Sequence, residues 1–434
     1  MPAAPFLHRS FAALRSRALI CSLLLATSGM TGCLLDQAKV RVLNASLDYQ
    51  AIDLQVDDDV EQSGIAYATV SDYLGMDAGT YTMAFKSTGL SSTLASVSET
   101  LDDNSHKTLV AYGRTGNFDV LEIDEDEDDA DSGETSLQII NAAADAGAVD
   151  VYLTDATTAL DAATPVSTDV AVGANDAGYI TVSSGTYRLR ITAAGSTSDV
   201  RLDVPSFSLS SKQVATLVVA DTAGGVLVNA MLLTQQGVLA LKNNTQARVR
   251  SAVAIENGTA VTATIGATGL VTGAVVTTIG GYKLADAGAA AVTLSVDGSA
   301  VAAAAQSLTA GHDYTLLVWD NASGTQTTLI DDDNRLPRGD DAAKIRLVHA
   351  MSGLTDPTSL AVDFSPVAES LAQGQASAFT ELSSTVDSRL DVTNASTTAT
   401  LFTQTDTSLL AEGVYTMFVF GEATETTAKL RKDR

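Results

Sequence analysis

From residue 40 onward the chain is written in short runs of period two. Ile52, Asp53, Leu54, Gln55 and Val56 alternate apolar and polar, and residues 149–153, 261–265 and 360–364 repeat the alternation more loosely. Such runs predict strands with one buried face. Residues 108–112, 215–219, 314–319 and 415–420 are apolar on both faces, which marks them as central strands.

These runs recur with a domain-sized period of about 100 residues. Each repeat opens alike: Val40, Arg41, Val42, Leu43, Asn44, Ala45; Leu137, Gln138, Ile139, Ile140, Asn141, Ala142; Arg248, Val249, Arg250, Ser251, Ala252; and Ile345, Arg346, Leu347, Val348, His349, Ala350. On this alignment Asn44, Asn141, Ser251 and His349 share one slot, which reads as a polar strand-end or turn position rather than a ligand. Gly79, Thr80, Tyr81 and Gly185, Thr186, Tyr187 lead into mid-repeat strands. The Ala-rich stretch at 301–305 tempts a helical reading, but Gly288, Gly298 and Gly311 punctuate it.

The expected fold class is therefore all-β: tandem immunoglobulin-like antiparallel β-sandwich domains. The expected divisions are a signal peptide at 1–32, a tether at 33–39, and sandwiches at 40–123, 136–242, 243–331 and 344–434. Acidic linkers at 124–135 and 332–343 would hold separately cored beads on an elongated string.

The opening strand with Asn-Ala or His-Ala, the segment Val149, Asp150, Val151, Tyr152, the Gly, Thr, Tyr step, and Gly311, His312, Asp313, Tyr314, Thr315 together resemble domain of unknown function 4397, a bacterial cell-surface module. The resemblance spans most of residues 40–434. It implies a β-rich extracellular module and no established activity.

Ahead of the repeats, His8, Arg9, Arg15 and Arg17 precede an apolar run at 18–28, too short to span a bilayer. Met30, Thr31, Gly32 and Cys33 resemble the lipobox of bacterial lipoproteins, with Met in place of the preferred Leu. The resemblance implies lipid attachment at Cys33, and Leu34 behind it implies delivery to the outer membrane of a Gram-negative cell. Ordinary signal cleavage nearby would instead leave Cys33 a free thiol. Several acyl chains together anchor stably, each buried CH₂ contributing about 0.8 kcal/mol.

Removal of residues 1–32 takes three arginines and no carboxylate, lowering the formal charge from -27 to -30. That disfavours nucleic acid and anionic lipid as partners, since both require clustered Lys and Arg. The two cysteines are Cys21 and Cys33, so acylation of the second leaves the mature chain without an internal disulfide.

Candidate chemistry is sparse. Asp124, Asp126 and Asp128 have the one, three, five spacing of a Ca²⁺ loop, but Asp129 stands where the sharp turn needs Gly and Thr135 where the loop needs Glu. A calcium hand is excluded, which leaves Ca²⁺ ordering the junction, or a solvated, self-repelling linker. His106, His312 and His349 belong to no metal or nucleophile motif, and Trp319 reads as core.

No catalytic residues are assigned. The expected function is a non-enzymatic cell-envelope lipoprotein serving as surface scaffold, spacer or adhesion module. The alternative is a module binding extracellular polysaccharide or protein, calcium-assisted, with a glycan-active hydrolase built on scattered carboxylates as the third reading.

Overall fold

The computed structural model describes residues 37–174, 178–255, 258–422 and 424–434. The signal segment and Cys33 lie outside the described residues. Residues 37–434 form one compact unit. Apart from a 3₁₀ turn at Leu160–Ala162, every regular element described is a strand.

Four modules repeat one plan of two packed sheets. In module 1 the inner sheet orders Thr69–Val70, the opening strand Ala38–Asn44, the closing strand His106–Arg114 and the return strand Asn117–Asp124, with Leu74–Met76 also on the opening strand. The outer sheet orders Asp59–Ala66, Ala51–Val56, Gly79–Ser87 and Thr93–Leu101. The inner sheets of modules 2, 3 and 4 are built around opening strands Glu134–Ala142, Gln246–Ala254 and Ala342–Ala350, beside closing strands Gln213–Asp221, Asp313–Asn321 and Val414–Glu422. The tandem β-sandwich architecture expected from the alternation is thus present.

One pairing departs from the antiparallel expectation. Opening and closing strands run parallel, with Arg41 opposite Thr108, Gln138 opposite Thr216, Arg250 opposite Thr315 and Arg346 opposite Thr416. The closing strand returns only after the chain has built the whole outer sheet, and a crossover of that length permits a parallel neighbour.

Side-chain parity explains the runs that are apolar on both faces. Val40, Val42, Leu109 and Ala111 point into the core of module 1 with Ile52, Leu54, Met83 and Phe85. Leu43, Ala45, Val110 and Tyr112 point the other way and meet Ile140, Ala142, Val218, Ala220, Met231 and Leu233 of module 2. Modules 3 and 4 do the same: Ala252, Ala254, Leu317 and Ile330 meet Val348, Ala350, Phe418 and Phe420. Each sandwich keeps its own core, but inner sheets are docked face to face in two pairs, 1 with 2 and 3 with 4. The string of independent beads is therefore corrected, because half of each inner sheet's apolar side chains can leave water only against the neighbouring module.

The alignment of the third repeat also needs correction. By register with the closing strands, Val253 and not Ser251 is the equivalent of Asn44, Asn141 and His349. Asn44 donates to the carbonyls of Tyr49 and Ile65, and Asn141 to those of Gly147 and Val170. The slot is a fully buried clip holding loop and outer-strand backbone, not a strand-end surface position. The Tyr of the Gly, Thr, Tyr step is likewise structural: Tyr81 and Tyr187 donate to the carbonyls of Asp77 and Ser183.

Candidate functional site

The conspicuous chemistry lies at the module junctions. Each inner sheet carries a polar residue on its opening strand, opposite a Thr on its closing strand and, in modules 1, 3 and 4, beside an aromatic ring. In module 1, Arg41 donates from Nε to Thr108 Oγ1 at 2.9 Å and to Glu125 Oε2 at 3.0 Å, while its guanidinium lies over the Tyr73 ring at 4.7 Å. Arg250 and Arg346 repeat this, with Nε to Thr315 Oγ1 at 2.8 Å and Thr416 Oγ1 at 3.1 Å, over Tyr282 and Phe379. Module 2 substitutes Gln138, whose Oε1 accepts from Thr216 Oγ1 at 3.1 Å.

The carboxylate that completes each clamp comes from the end of a return strand or just beyond it. Between modules 3 and 4 the exchange is reciprocal: Arg250 of module 3 pairs with Asp433 of module 4, and Arg346 of module 4 pairs with Asp332 of module 3. Thr315 and Thr416 donate to Asp332 and Asp433, each within its own module, at 2.6 Å. The contact is isologous, as in a two-fold dimer, but written within one chain. Between modules 1 and 2 it is one-sided. Arg41 pairs with Glu125, and since Gln138 offers no cation the rest of its guanidinium reaches Gly237 O at 2.7 Å.

Burial sets the energetics. The Arg250, Arg346, Asp332 and Asp433 side chains are at most 2% exposed. Charges so desolvated persist when paired, and removing one partner strands the other; here Arg250 Nη2 alone is left without a hydrogen-bond acceptor among the clamp's charged groups. Burial, followed by the nearby Asp332, holds the Tyr282 hydroxyl well above its ordinary titration range. Burial and then Glu125 do the same to Tyr73.

This overturns the solvated-linker reading at its two ends. Glu125 and Asp332 are buried ion partners, and Asp126 is bound to the His106 ring at 2.9 Å and to its backbone N–H at 2.7 Å. Asp124, Asp126 and Asp128 are not gathered at one point: Asp124 ends the return strand, Asp126 belongs to His106, and Asp128 is exposed. Among the described residues no three His, Cys, Asp or Glu side chains are grouped to hold a metal ion.

The two pairs also touch each other. Arg114 of module 1 meets Asp145 of module 2 at 3.0 Å, and the same carboxylate accepts from the backbone of Leu336, beyond module 3. Arg335 reaches Asp48 at 3.5 Å, and Thr222 donates to Gly311 O at 2.9 Å. A Cβ on Gly224 would stand 2.3 Å from His312 Cα, so only glycine allows these backbones to approach. Burial and then Asp145 push the Asp221 carboxyl upward, while burial lowers Lys344 to about 8. Beside this hub lies a cleft of about 440 Å³, lined by Tyr67, Asn229, Asn243, Thr309 and His312.

The other histidines are accounted for. His312 sits 3.3 Å from Asp331, which raises its pKa. His349 is fully buried and contacts Asp356 O at 3.2 Å. Trp319 packs against the interface core of modules 3 and 4, with its indole N–H on Thr328 Oγ1 at 3.0 Å. A charged residue at these positions is ordinarily read as solvent-facing, so charge alone does not mark the clamp arginines. The available signal was the recurrence of Arg41, Arg250 and Arg346 one residue past an apolar position, matched by Thr108, Thr315 and Thr416.

Fold and junctions together define a tandem β-sandwich protein whose modules are docked in pairs by buried ionic clamps. A family model, Domain of unknown function (DUF4397), matches residues 38–152 and 247–356. The chain belongs to this family. Each match begins at the opening strand of an odd-numbered module and runs across a docked junction into the next.

No curated protein matches the sequence. Solved structures that match include the family CBM26 module of Eubacterium rectale Amy13K in complex with maltoheptaose, at 9% identity and TM-score 0.17, covering 45% of this chain and 95% of that one. A streptococcal virulence factor described by its alpha-glucan binding matches at 13% identity and TM-score 0.16, covering 42% and 93%. A candidate cell adhesion protein from Bacteroides uniformis matches at 10% identity and TM-score 0.20, covering 46% and 98%. Among the described residues no helix is long and apolar enough to cross a membrane.

Proposed function

We propose that this chain is a non-enzymatic envelope lipoprotein, attached through Cys33 to the outer membrane of a Gram-negative cell and serving as a rigid surface scaffold or adhesion module. The observation that carries the reading is the reciprocal pairing of Arg250 with Asp433 and Arg346 with Asp332. A flexible tether has no use for buried charges, whereas a scaffold that must hold surfaces at fixed orientation does, because paired charges penalise any slip that strands them. Palmitate labelling of wild type and Cys33→Ser tests the anchor: the substitution should abolish labelling, and equal labelling would defeat it. A purified protein that turned over a glycan or peptide would defeat the non-enzymatic reading.

The second reading, binding of extracellular polysaccharide or protein with Ca²⁺ assisting, draws support from the cleft beside Tyr67 and Asn229. Its size lies within the range of ligand sites, and module junctions are common places for them. A Ca²⁺-dependent rise in melting temperature that grows with ligand would favour it over the scaffold alone.

A further inference from the structure

The outer sheet of module 4 ends in a two-residue hairpin in which Val362 pairs with Ser365, leaving Asp363 and Phe364 as the loop. Both loop residues have positive φ, 47° and 66°. Left-handed backbone at both positions is the type I′ turn, whose second place is ordinarily glycine. A bulky aromatic there is a genuine outlier.

Modules 1 and 3 have the same two-residue loop and put Asp58 and Ala267 at the position of Phe364. Asp363 explains itself: it accepts from Arg389 N at 2.8 Å and from Ser388 Oγ at 2.8 Å, tying the loop to the neighbouring strand. Phe364 is 79% exposed and contributes nothing to a core. Its ring is nevertheless braced. The Arg389 guanidinium lies 5.4 Å from the ring centroid, and Arg389 is fixed by two bonds to Asp391 at 2.7 and 2.9 Å. A strained, displayed and braced aromatic is the combination found where strain serves a binding surface.

We infer that Phe364 is a stacking platform for a neutral polysaccharide. The net charge of -27 repels polyanions and anionic membranes. The tip is too small for a protein partner. One aromatic side chain buries about 150–250 Å², against the roughly 1,000 Å² that a specific protein interface needs. A pyranose ring fits the scale: its C–H face covers one aromatic face, and its hydroxyls meet the exposed Asp363 and Ser365 that flank Phe364 in the loop. The tip is separate from the clamps and the cleft, so failure here leaves the scaffold reading standing.

The test is affinity electrophoresis of the protein from Gln37 onward through gels holding soluble neutral glucans, mannans or xylans, with hyaluronate gels and phosphatidylcholine vesicles as separate arms. At least one neutral polysaccharide should retard the wild type. Phe364→Ala and Phe364→Gly should weaken that retardation at least tenfold, and Phe364→Tyr should keep it. Phe364→Gly should melt at or above the wild-type temperature, because glycine relieves the turn. The inference is overturned if no neutral polysaccharide retards the wild type, if the Ala and Gly variants bind unchanged, or if only hyaluronate or vesicles bind.

Discussion

Arg250 of module 3 and Asp433 of module 4 form an ion pair across the module boundary in which neither side chain is more than 1% exposed. Arg250→Met should destabilise the protein by about 3–5 kcal/mol, because Asp433 is left buried without its cation. The double variant Arg250→Met/Asp433→Leu should recover most of the loss. Denaturant unfolding of both, read as a double-mutant cycle, checks the coupling.

Trp319, the sole tryptophan, reports on the same junction. Gly374 has φ +74°, and a Cβ there would stand 2.2 Å from the indole. Gly374→Ala should therefore shift the Trp319 emission and cost about 2–3 kcal/mol, by overpacking and backbone strain together. An unchanged spectrum would place the indole elsewhere.

His349 supplies an acid-sensitive element. Burial lowers its pKa to about 4 from an ordinary 6.5, so between these values the unfolded chain binds a proton that the folded chain refuses. Stability should fall as pH drops through that window, by about 3 kcal/mol in total at roughly 1.4 kcal/mol per unit. His349→Asn, which restores the residue found in modules 1 and 2, should flatten this part of the pH–stability curve.

The corrected register can be tested directly. Asn141→Ala removes two bonds to the backbone carbonyls of Gly147 and Val170 and one from Ala143 N, and should cost about 2–3 kcal/mol. Ser251→Ala removes a single bond to Leu316 O and should cost about 1 kcal/mol or less. Equal costs, measured by chemical denaturation, would restore the equivalence read from the sequence.

What was legible in the sequence was whatever period two encodes. Ile52, Leu54 and Val56 gave the buried face of one strand. The doubly apolar run at 314–319 gave a central strand, though not what covered its second face. Alternation reports that a face is buried without naming its partner, so docking of Leu317 against the Phe418 side of module 4 could not be read from it. Charge misled for a related reason: Arg346 and Asp332 resemble surface residues until a fold brings them together away from water. The shift of Ser251 by two places shows a further limit, since period-two strands align equally well after a slip of two.

Paired docking of the inner sheets is the central claim, and cysteine accessibility tests it most directly. The chain from Gln37 onward contains no cysteine, so Ala142→Cys and Ala252→Cys each place one thiol in a docked face, 1% and 0% exposed respectively. Both should resist a thiol reagent in native buffer and react only as denaturant unfolds the protein, while a Cys at exposed Ser323 reacts at once. Labelling of Ala142→Cys and Ala252→Cys at the rate of that control, with the fold intact by circular dichroism, would contradict the docked pairs.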